Sequence, residues 1–303
     1  VLSTTINRYG YITCRLSPPF FKYKFRLIYS QIEEVRHRSR IDHPSIKACL
    51  EFLKFNDNLS VQYDCDLPAR SGLGSSSSFT VGLLNALCAL QGEMRTKRQL
   101  ALDAIRVEQK LIGENVGSQD QTAAAFGGFN RIEFGGPDEI TVYPIVMDKN
   151  RLNELQSHLM MFFTGFARNA SEIAAEQIRV TPQKDQELHT MKQMVYEAQN
   201  IILNRRGNLD DFGKLLHESW QLKRGLTPKI SNSIIDMIYN TGIKAGALGG
   251  KLIGAGGGGF MILFARPEAQ PRIKEKLKKY LYVPFQFENS GSQIIYHTAD
   301  DIF

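Results

Sequence analysis

Residues 68–78 have the sequence Pro-Ala-Arg-Ser-Gly-Leu-Gly-Ser-Ser-Ser-Ser, and this stretch decides the fold predicted for the chain. Residues 59–66 before it alternate apolar and polar side chains, which is typical of a half-buried strand. Apolar residues after it recur at helical spacing from Phe79 to Leu90. The stretch therefore predicts a loop that joins a strand to the N-terminus of a helix.

Such a loop suits an anion, because a helix N-terminus leaves backbone N–H groups unpaired and carries a partial positive charge. Gly72 and Gly74 can adopt positive φ and let a ligand approach the backbone, and residues 75–78 add serine hydroxyl groups that can also ligate a hard cation. Phosphate matches these properties. An ordinary solvated turn with a serine helix cap is the alternative, and the rest of the chain has to decide between the two.

Length, composition and charge limit the function classes. The 303 residues have an apolar fraction of 43%, which is typical of a globular protein with a core and favours two domains. The net charge of +6 is spread along the chain without a dense basic block, which argues against a nucleic-acid partner and favours anionic substrates. The cysteines are far apart and form no Cys-x-x-Cys pair, so we expect reduced thiols and no zinc site. No apolar run approaches the roughly 18 residues of a membrane span and no signal-peptide pattern occurs, so we expect a cytoplasmic protein with no membrane partner.

Periodicity predicts the other elements of the chain. Strands are expected over residues 3–15, 22–31, 127–134, 140–145, 159–163 and 283–288. Helices are expected over residues 44–56, 96–112 with Thr96 as its cap, 171–206 with an interruption near Pro182, 209–223, 231–245 and 267–280. Residues 33–42 and 113–122 are charged or polar and are expected to be loops. Polar residues near 148–153 favour a division into domains of residues 1–150 and 151–303.

A second glycine cluster lies near the end of the chain. Residues 249–264 have the sequence Gly-Gly-Lys-Leu-Ile-Gly-Ala-Gly-Gly-Gly-Gly-Phe-Met-Ile-Leu-Phe, with four consecutive glycines directly before an apolar strand. Each glycine inside a regular element costs about 0.5–1 kcal/mol relative to alanine, so the run indicates that something approaches this backbone closely. A strand bulge or a tight packing crossing is the alternative.

Together, the two clusters resemble the GHMP kinase superfamily. Residues 68–78 are similar to its Pro-x-x-x-Gly-Leu-Gly-Ser-Ser nucleotide loop, and residues 251–259 are similar to its C-terminal Gly-Ala-Gly-x-Gly-Gly motif. Their order and separation match, and the resemblance spans nearly the whole chain. It implies an α+β fold with an N-terminal α+β domain that carries the nucleotide loop, a C-terminal ferredoxin-like α/β domain, and an active site in the cleft between them.

The resemblance also implies site residues. ATP is expected to contact Arg70, Ser71, Gly72, Leu73, Gly74, Ser75, Ser76 and Ser77 in the first cluster and Gly254, Gly256, Gly257 and Gly258 in the second. The family's catalytic aspartate matches Asp120, which would act as general base or orient the acceptor hydroxyl. Its metal-binding glutamate matches Glu108, which together with Ser76 would ligate the Mg²⁺ that phosphoryl transfer needs to neutralise the polyphosphate. Taken alone, Asp120 would be a turn aspartate that caps local amide groups.

Four further stretches, at residues 4–9, 164–171, 217–223 and 283–292, are similar to bacterial D-glycero-D-manno-heptose 7-phosphate kinases and their fucokinase-domain relatives. This resemblance implies ATP-dependent transfer to the anomeric O1 of heptose 7-phosphate, on the route to nucleotide-activated heptose. Arg168 and Lys223 are candidate cations for the substrate phosphate, with surface salt bridges as the alternative, and Gly256 is a further candidate contact. A fucokinase-like or other hexose 1-kinase and a non-catalytic sensor of sugar and ATP stay open, and the sequence gives no indication of the oligomeric state.

The chain departs from the family pattern in one place. The family's N-terminal Arg-x-Pro and Gly-Gly-Gly-Thr-Asp segment helps to build its sugar site, and no such segment occurs here. The chain begins at Val1, just downstream of where that segment should lie, so we expect these residues to be cut from a longer protein. A protein that lacked the segment would lose sugar contacts and part of its first sheet.

Overall fold

The computed structural model describes residues 1–68, 71–136, 138–165 and 170–298, with only the backbone of Ala170. The α-helices in these ranges are α1 (Pro44–Phe52), α2 (Ser75–Leu90), α3 (Lys97–Arg106), α4 (Gln119–Phe126), α5 (Lys149–Ser157), α6 (Ala170–Val180), α7 (Asp185–Leu203), α8 (Asp210–Arg224), α9 (Ser233–Lys244) and α10 (Gln270–Lys276). The strands are β1 (Leu2–Ile6), β2 (Gly10–Leu16), β3 (Phe25–Ile28), β4 (Ile32–Val35), β5 (Leu59–Cys65), β6 (Phe129–Phe134), β7 (Ile140–Pro144), β8 (Leu159–Phe163), β9 (Gly249–Leu252), β10 (Phe260–Phe264), β11 (Leu281–Tyr282) and β12 (Phe287–Glu288). This combination is the α+β fold class that the sequence predicts.

The first half of the chain builds a sheet in the order β2-β5-β3-β4, in which only β3 and β5 run parallel. Strand β5 buries Leu59 and Val61 and exposes Gln62 and Asp64, which is the predicted alternation. Helix α2 buries one side of its length against this sheet and against α1 and α3. The sheet and these helices thus enclose one core, and β5 and α2 hold the first glycine cluster between them.

The second half builds an antiparallel sheet in the order β11-β8-β10-β9. Apolar residues on one face of β10 pack with the fully buried Trp220 of α8 and with Tyr239 of α9. Helix α8 lies directly along β9, where a Cβ on Gly249 would stand 1.9 Å from the carbonyl oxygen of Gly213. Strands β9 and β10 therefore hold the second glycine cluster in the connection between them.

A third sheet, in the order β12-β1-β6-β7, joins both ends of the described chain. Thr5 of β1 pairs with Glu288 of β12, and its hydroxyl donates a hydrogen bond to the carbonyl oxygen of Glu288 at 2.7 Å. Further along, the Ser292 N–H donates to the carbonyl oxygen of Ala124 in α4 at 2.8 Å. Residues after β11 consequently return to pack on the first half of the molecule, and a domain boundary at residue 150 stays a prediction.

The single strand predicted over residues 3–15 is wrong, because two strands in different sheets occupy this range. The break lies between β1 and β2, where the Asn7 N–H donates to the Gln286 carbonyl oxygen at 2.9 Å. Two residues later, the Tyr9 N–H donates to the Asp66 carboxylate at 2.9 Å. These bonds draw the two halves of the segment to different partners.

The loop predicted over residues 33–42 is wrong at its start, where Glu33 lies in β4 and is buried. Its carboxylate accepts hydrogen bonds from the Tyr29 hydroxyl at 2.7 Å and from the Asp42 N–H at 2.7 Å. The His43 N–H adds a third at 3.2 Å. A charged residue is tolerated in this strand because its oxygens are satisfied locally.

Other predicted elements differ mainly at their ends. Thr96 caps α3 in a capping box with Gln99, but α3 ends at Arg106 and Val107–Ile112 form a π-helical turn. Asp120 was expected in a loop and lies in the first turn of α4. The predicted hairpin (β6 and β7), the interruption near Pro182 and the apolar strand after the glycines (β10) are confirmed. The strand predicted over residues 283–288 is shorter than expected, because only Phe287–Glu288 (β12) form a strand in this range. Among the described residues, no helix has the length and apolar character to cross a membrane.

Candidate active site

The first glycine cluster ends at an uncapped helix N-terminus. Gly74 is the N-cap of α2 with φ of +69° and supplies no side-chain cap, so the serine helix cap of the alternative interpretation is not formed. The Ser78 N–H donates to the Gly74 carbonyl oxygen at 2.8 Å. This is the first N–H of the helix with an acceptor inside the helix. The N–H groups of Ser75, Ser76 and Ser77 come before it and therefore point out of the helix end. This end of α2 offers donors and a partial positive charge to an anion.

The two glycine clusters meet backbone to backbone. A Cβ on Gly72 would stand 2.8 Å from the carbonyl oxygen of Ile253, and a Cβ on Gly254 would stand 2.7 Å from the Cα of Gly72. A Cβ on Gly259 would stand 2.0 Å from the carbonyl oxygen of Ser71. Side chains at these positions would push the loops apart. Two stretches about 180 residues apart in sequence are thus brought together as one surface.

Part of the close approach that the glycine run predicts comes from the protein itself. A Cβ on Gly256 would stand 2.8 Å from the Cα of Ile230, and the Gly257 N–H donates to the Ile230 carbonyl oxygen at 2.9 Å. The Gly259 carbonyl oxygen accepts the Thr164 N–H at 2.8 Å. The alternative explanation, a tight packing crossing, therefore accounts for the bare backbone at Gly254, Gly256 and Gly259. The ATP contacts expected of Gly254, Gly256, Gly257 and Gly258 stay predictions.

Glu108 is the buried acid of the site. It lies in the π-helical turn after α3 and is 1% exposed. The Ser77 hydroxyl donates to its Oε2 at 2.9 Å, and the Gln121 side-chain amide donates to the same oxygen. The other oxygen, Oε1, is buried and has no hydrogen-bond partner within the described ranges.

This orphaned carboxylate oxygen fits a hard cation. Mg²⁺ prefers oxygen ligands, and the Glu108 carboxylate is bonded through its other oxygen to the Ser77 hydroxyl at the start of α2. Ser77 is buried and already bonded to Glu108, whereas Ser76 is exposed at the helix end. The predicted pair of Ser76 and Glu108 remains a prediction, and the structure adds Ser77 and Gln121 as the side chains that fix Glu108.

Asp120 lies against the first glycine cluster. A Cβ on Gly74 would stand 3.1 Å from the Asp120 Cγ, so the carboxylate is next to the N-cap of α2. Solvent reaches this side chain, but protein surrounds it on most sides. That burial, and after it the negative charge of Glu108, raises the pKa of Asp120, while the positive charge of Lys223 opposes the rise. A carboxylate in this setting is a better proton acceptor than one in water.

Two lysines of the second half complete the cleft. Lys223, at the end of α8, donates to the Gly254 carbonyl oxygen at 2.6 Å. Its burial, followed by the positive charge of Lys251, lowers the pKa of Lys223 to about 7, and Asp120 acts in the opposite sense. Burial also lowers the pKa of Lys251 on β9. The cleft thus holds Asp120 on one wall and Lys223 on the other.

Several predicted residues have other surroundings. Leu73 packs its side chain with Ile253 and Phe260, which belong to the second half of the chain, so it helps to join the two loops. Ser71 is fully buried, and its hydroxyl group has no partner among the residues that the structure describes. Arg70 and Arg168, predicted to contact ATP and the substrate phosphate, lie outside the described residues.

Sequence analysis missed the contacts of Gln121 and Lys251. Gln121 follows Asp120 directly, and a buried carboxylate such as Glu108 needs nearby donors, so an amide in this position was a usable signal. Lys251 is the cation inside the second glycine cluster. Its place in the cluster was visible in the sequence, but its effect on Lys223 depends on how α8 packs against β9.

Comparison with known proteins gives matches on both halves of the chain. The family model for the GHMP kinases N terminal domain matches residues 44–128, and the model for GHMP kinases C terminal matches residues 199–283. A D-glycero-alpha-D-manno-heptose 7-phosphate kinase of Campylobacter jejuni is 30% identical over 231 residues, which are 76% of this chain and 68% of that protein. A bifunctional fucokinase/GDP-fucose pyrophosphorylase of Arabidopsis thaliana is 25% identical over 229 residues, but the chain spans only 21% of its length.

Among solved structures, one similar fold is that of a D-glycero-D-manno-heptose 1-phosphate kinase from Bacteroides thetaiotaomicron. It superposes with a TM-score of 0.78 at 24% identity and covers 98% of this chain and 90% of its own. At this identity the likeness concerns the fold. It extends over both halves of the chain.

Proposed function

The chain belongs to the GHMP kinase family, and from that membership we propose that it is a sugar kinase which transfers the terminal phosphoryl group of ATP to the anomeric O1 of a heptose 7-phosphate. The observation that carries the proposal is the meeting of the two glycine clusters, with Asp120 beside Gly74 and Lys223 beside Gly254. A donor for phosphate, a carboxylate and a cation thereby lie in one cleft. These are the parts that phosphoryl transfer needs.

In this proposal the N-terminus of α2 binds the ATP phosphates. The N–H groups of Ser75, Ser76 and Ser77 would donate to phosphate oxygens, and the partial positive charge of the helix end would favour the anion. Gly74 holds the left-handed conformation that brings this end toward the cleft. Because Ser71 and Gly72 rest on the second loop, the phosphate site forms only when the two halves are joined.

Asp120 would act as the general base for the acceptor hydroxyl. Its carboxylate accepts the proton of the sugar O1 as O1 bonds to the terminal phosphorus, and the bond from that phosphorus to the bridging oxygen breaks to release ADP. The raised pKa of Asp120 supports this role. Lys223, which faces Asp120, would hold it near the reacting atoms and limit that rise.

Mg²⁺ would be held by Glu108 with a serine hydroxyl at the start of α2. When bound, it supplies positive charge that neutralises the polyphosphate. Ser77 and Gln121 keep Glu108 in one orientation through its Oε2, which leaves Oε1 for the ion. The protein's own contribution is therefore the fixed direction of that carboxylate.

The acceptor class rests on the 30% identical relative, a heptose 7-phosphate kinase. A second candidate is a fucokinase-like hexose 1-kinase, which the match to a fucokinase domain supports. Both are sugar 1-kinases, and a panel of sugars and sugar phosphates separates them. Consumption of ATP with fucose and not with heptose 7-phosphate would favour the second candidate.

The test is Asp120→Asn, assayed for sugar-dependent ADP release and for binding of a non-hydrolysable ATP analogue. We expect turnover to fall by about 10³-fold or more, since loss of a general base costs about 10²–10⁴-fold, while the analogue binds within threefold. Asp185→Asn is the matched control, because Asp185 is also an exposed aspartate in the first turn of a helix. Turnover of the Asp120 variant equal to that of the control would remove Asp120 from the chemistry, and a wild type that binds ATP without turnover on any sugar would favour a sensor.

A further inference from the structure

Lys251 is a half-buried cation that the assigned motifs leave without a role. In β9 it alternates with Gly250 and Leu252, so it projects from the same face as Gly249. That face is covered by α8, because a Cβ on Gly249 would stand 2.8 Å from the His217 backbone nitrogen. Lys251 is therefore directed toward the C-terminal part of α8, which carries Lys223.

The Lys251 ammonium group lies close enough to Lys223 for its charge to act there. The positive charge of Lys251 is, after burial, the largest influence that lowers the pKa of Lys223. Lys223 is fixed at the second glycine cluster by its bond to the Gly254 carbonyl oxygen. Two like charges are consequently held at one place, at the junction of the two glycine clusters.

Neither ammonium group has an acidic partner in an ion pair among the described residues. The Lys251 ammonium group also donates no hydrogen bond within those ranges, and the one acid whose charge acts on Lys223 is Asp120. Two partly buried ammonium groups are costly without an anion, and only Lys223 has a carboxylate, that of Asp120, acting on it in the described part of the chain. An anion bound beside both lysines would lower that cost, and it would lie near Asp120, where a phosphoryl group would react.

We propose that Lys251 and Lys223 form a two-cation site for a phosphoryl dianion at the junction of the two glycine clusters, and that Lys251 contacts substrate. The proposal rests on the proposed kinase function for the identity of the ligand. The dianion comes from one of two sources, the terminal phosphoryl group of the nucleotide or the phosphate that the acceptor sugar already carries. Both present the same chemistry to the lysines.

The experiment compares the wild type with Lys251→Met by calorimetric titration. The probes are inorganic phosphate, ADP, a non-hydrolysable ATP analogue and heptose 7-phosphate. We expect Lys251→Met to weaken the binding of inorganic phosphate by about tenfold or more, because the variant loses a charge-assisted contact. If the nucleotide is the source, the analogue loses affinity and ADP does not; if the acceptor is the source, heptose 7-phosphate loses affinity and the analogue does not.

Two controls keep the result decisive. Lys214→Met removes an exposed lysine from α8 that pairs with Asp211, so it tests the loss of any lysine from this region. Lys251→Arg keeps the charge and should restore phosphate binding to within about threefold of the wild type, which a purely structural role would not require. If Lys251→Met fails to fold, Lys223→Met replaces it in the same titrations.

Equal affinity of wild type and Lys251→Met for every probe, with equal thermal stability, would overturn the proposal. Failure of the kinase function looks different, because the wild type would then turn over no sugar while phosphate binding still depended on Lys251. That outcome would support the two-cation site and reject the kinase.

Discussion

The contact between the two glycine clusters leads to a sharp prediction for Gly254→Ala. Gly254 has φ of +77°, and an added Cβ would stand 2.7 Å from the Gly72 Cα and 2.8 Å from its carbonyl oxygen. Ordinary contact begins at 3.4 Å, so the loops must separate by about 0.7 Å. Both atoms belong to the backbone and cannot rotate away.

Gly92→Ala is the matched control. Gly92 has φ of +72°, close to that of Gly254, and its added Cβ would meet nothing within 4 Å. Both variants carry the cost of an alanine in the left-handed region, about 1–2 kcal/mol. Overpacking adds about 1–3 kcal/mol for Gly254→Ala alone. The difference between the two variants isolates the loop contact from the backbone strain.

The assays are urea unfolding and sugar-dependent ADP release. We expect Gly254→Ala to lose about 1–3 kcal/mol more unfolding free energy than Gly92→Ala. Because a displacement near 1 Å can cost about 100-fold in rate, we expect kcat to fall by about 10- to 100-fold in Gly254→Ala only. If the two variants match within about 0.5 kcal/mol and threefold in kcat, the contact between the clusters does not align the site and the reasoning fails.

Two further predictions concern the groups that surround the cleft. Ser77→Ala removes a hydrogen-bond donor to the buried Glu108 carboxyl group and should lower the unfolding free energy by about 1–3 kcal/mol. Ser76→Ala, at an exposed position, should change the unfolding free energy by less than about 0.5 kcal/mol in the same urea titration. Equal effects would mean that the bond to Glu108 is not formed. Lys223 has a pKa of about 7, so its ammonium group is charged below that pH and loses its charge above it. We therefore expect kcat/KM to fall above about pH 7, by up to about tenfold per pH unit. The Arg side chain of Lys223→Arg stays charged, so in a pH-rate profile this variant should show the fall in kcat/KM at higher pH. A fall at the same pH as in the wild type would mean that another group causes it.

The parts of the site that the sequence predicts are those with strong local requirements. The backbone at Gly72, Gly254, Gly256 and Gly259 needs glycine, and the end of α2 needs small donors, so both clusters are visible without a structure. The class of fold follows from the family resemblance and is confirmed. What the sequence leaves open is which atoms fill the space beside each glycine.

Long-range contacts account for most of what sequence analysis missed. The serine that fixes Glu108 depends on how α2 packs against the turn after α3, and Ser76 and Ser77 differ there by one position around the helix. The strand that contains Glu33 depends on donors from Asp42 and His43, which periodicity does not register. Charge pattern favours a loop there because a buried carboxylate is uncommon without such partners.

The pairing of β1 with β12 has a consequence for folding during synthesis. Thr5 and Glu288 are 283 residues apart, and a ribosome adds about 5–20 residues per second. The partner strand β12 is therefore synthesised roughly 15–60 s after β1. During that time the edge of β1 is open to pairing with other chains. Completion of the β12-β1-β6-β7 sheet therefore cannot precede the synthesis of residue 288, and a fragment that stops before residue 287 should aggregate through this edge.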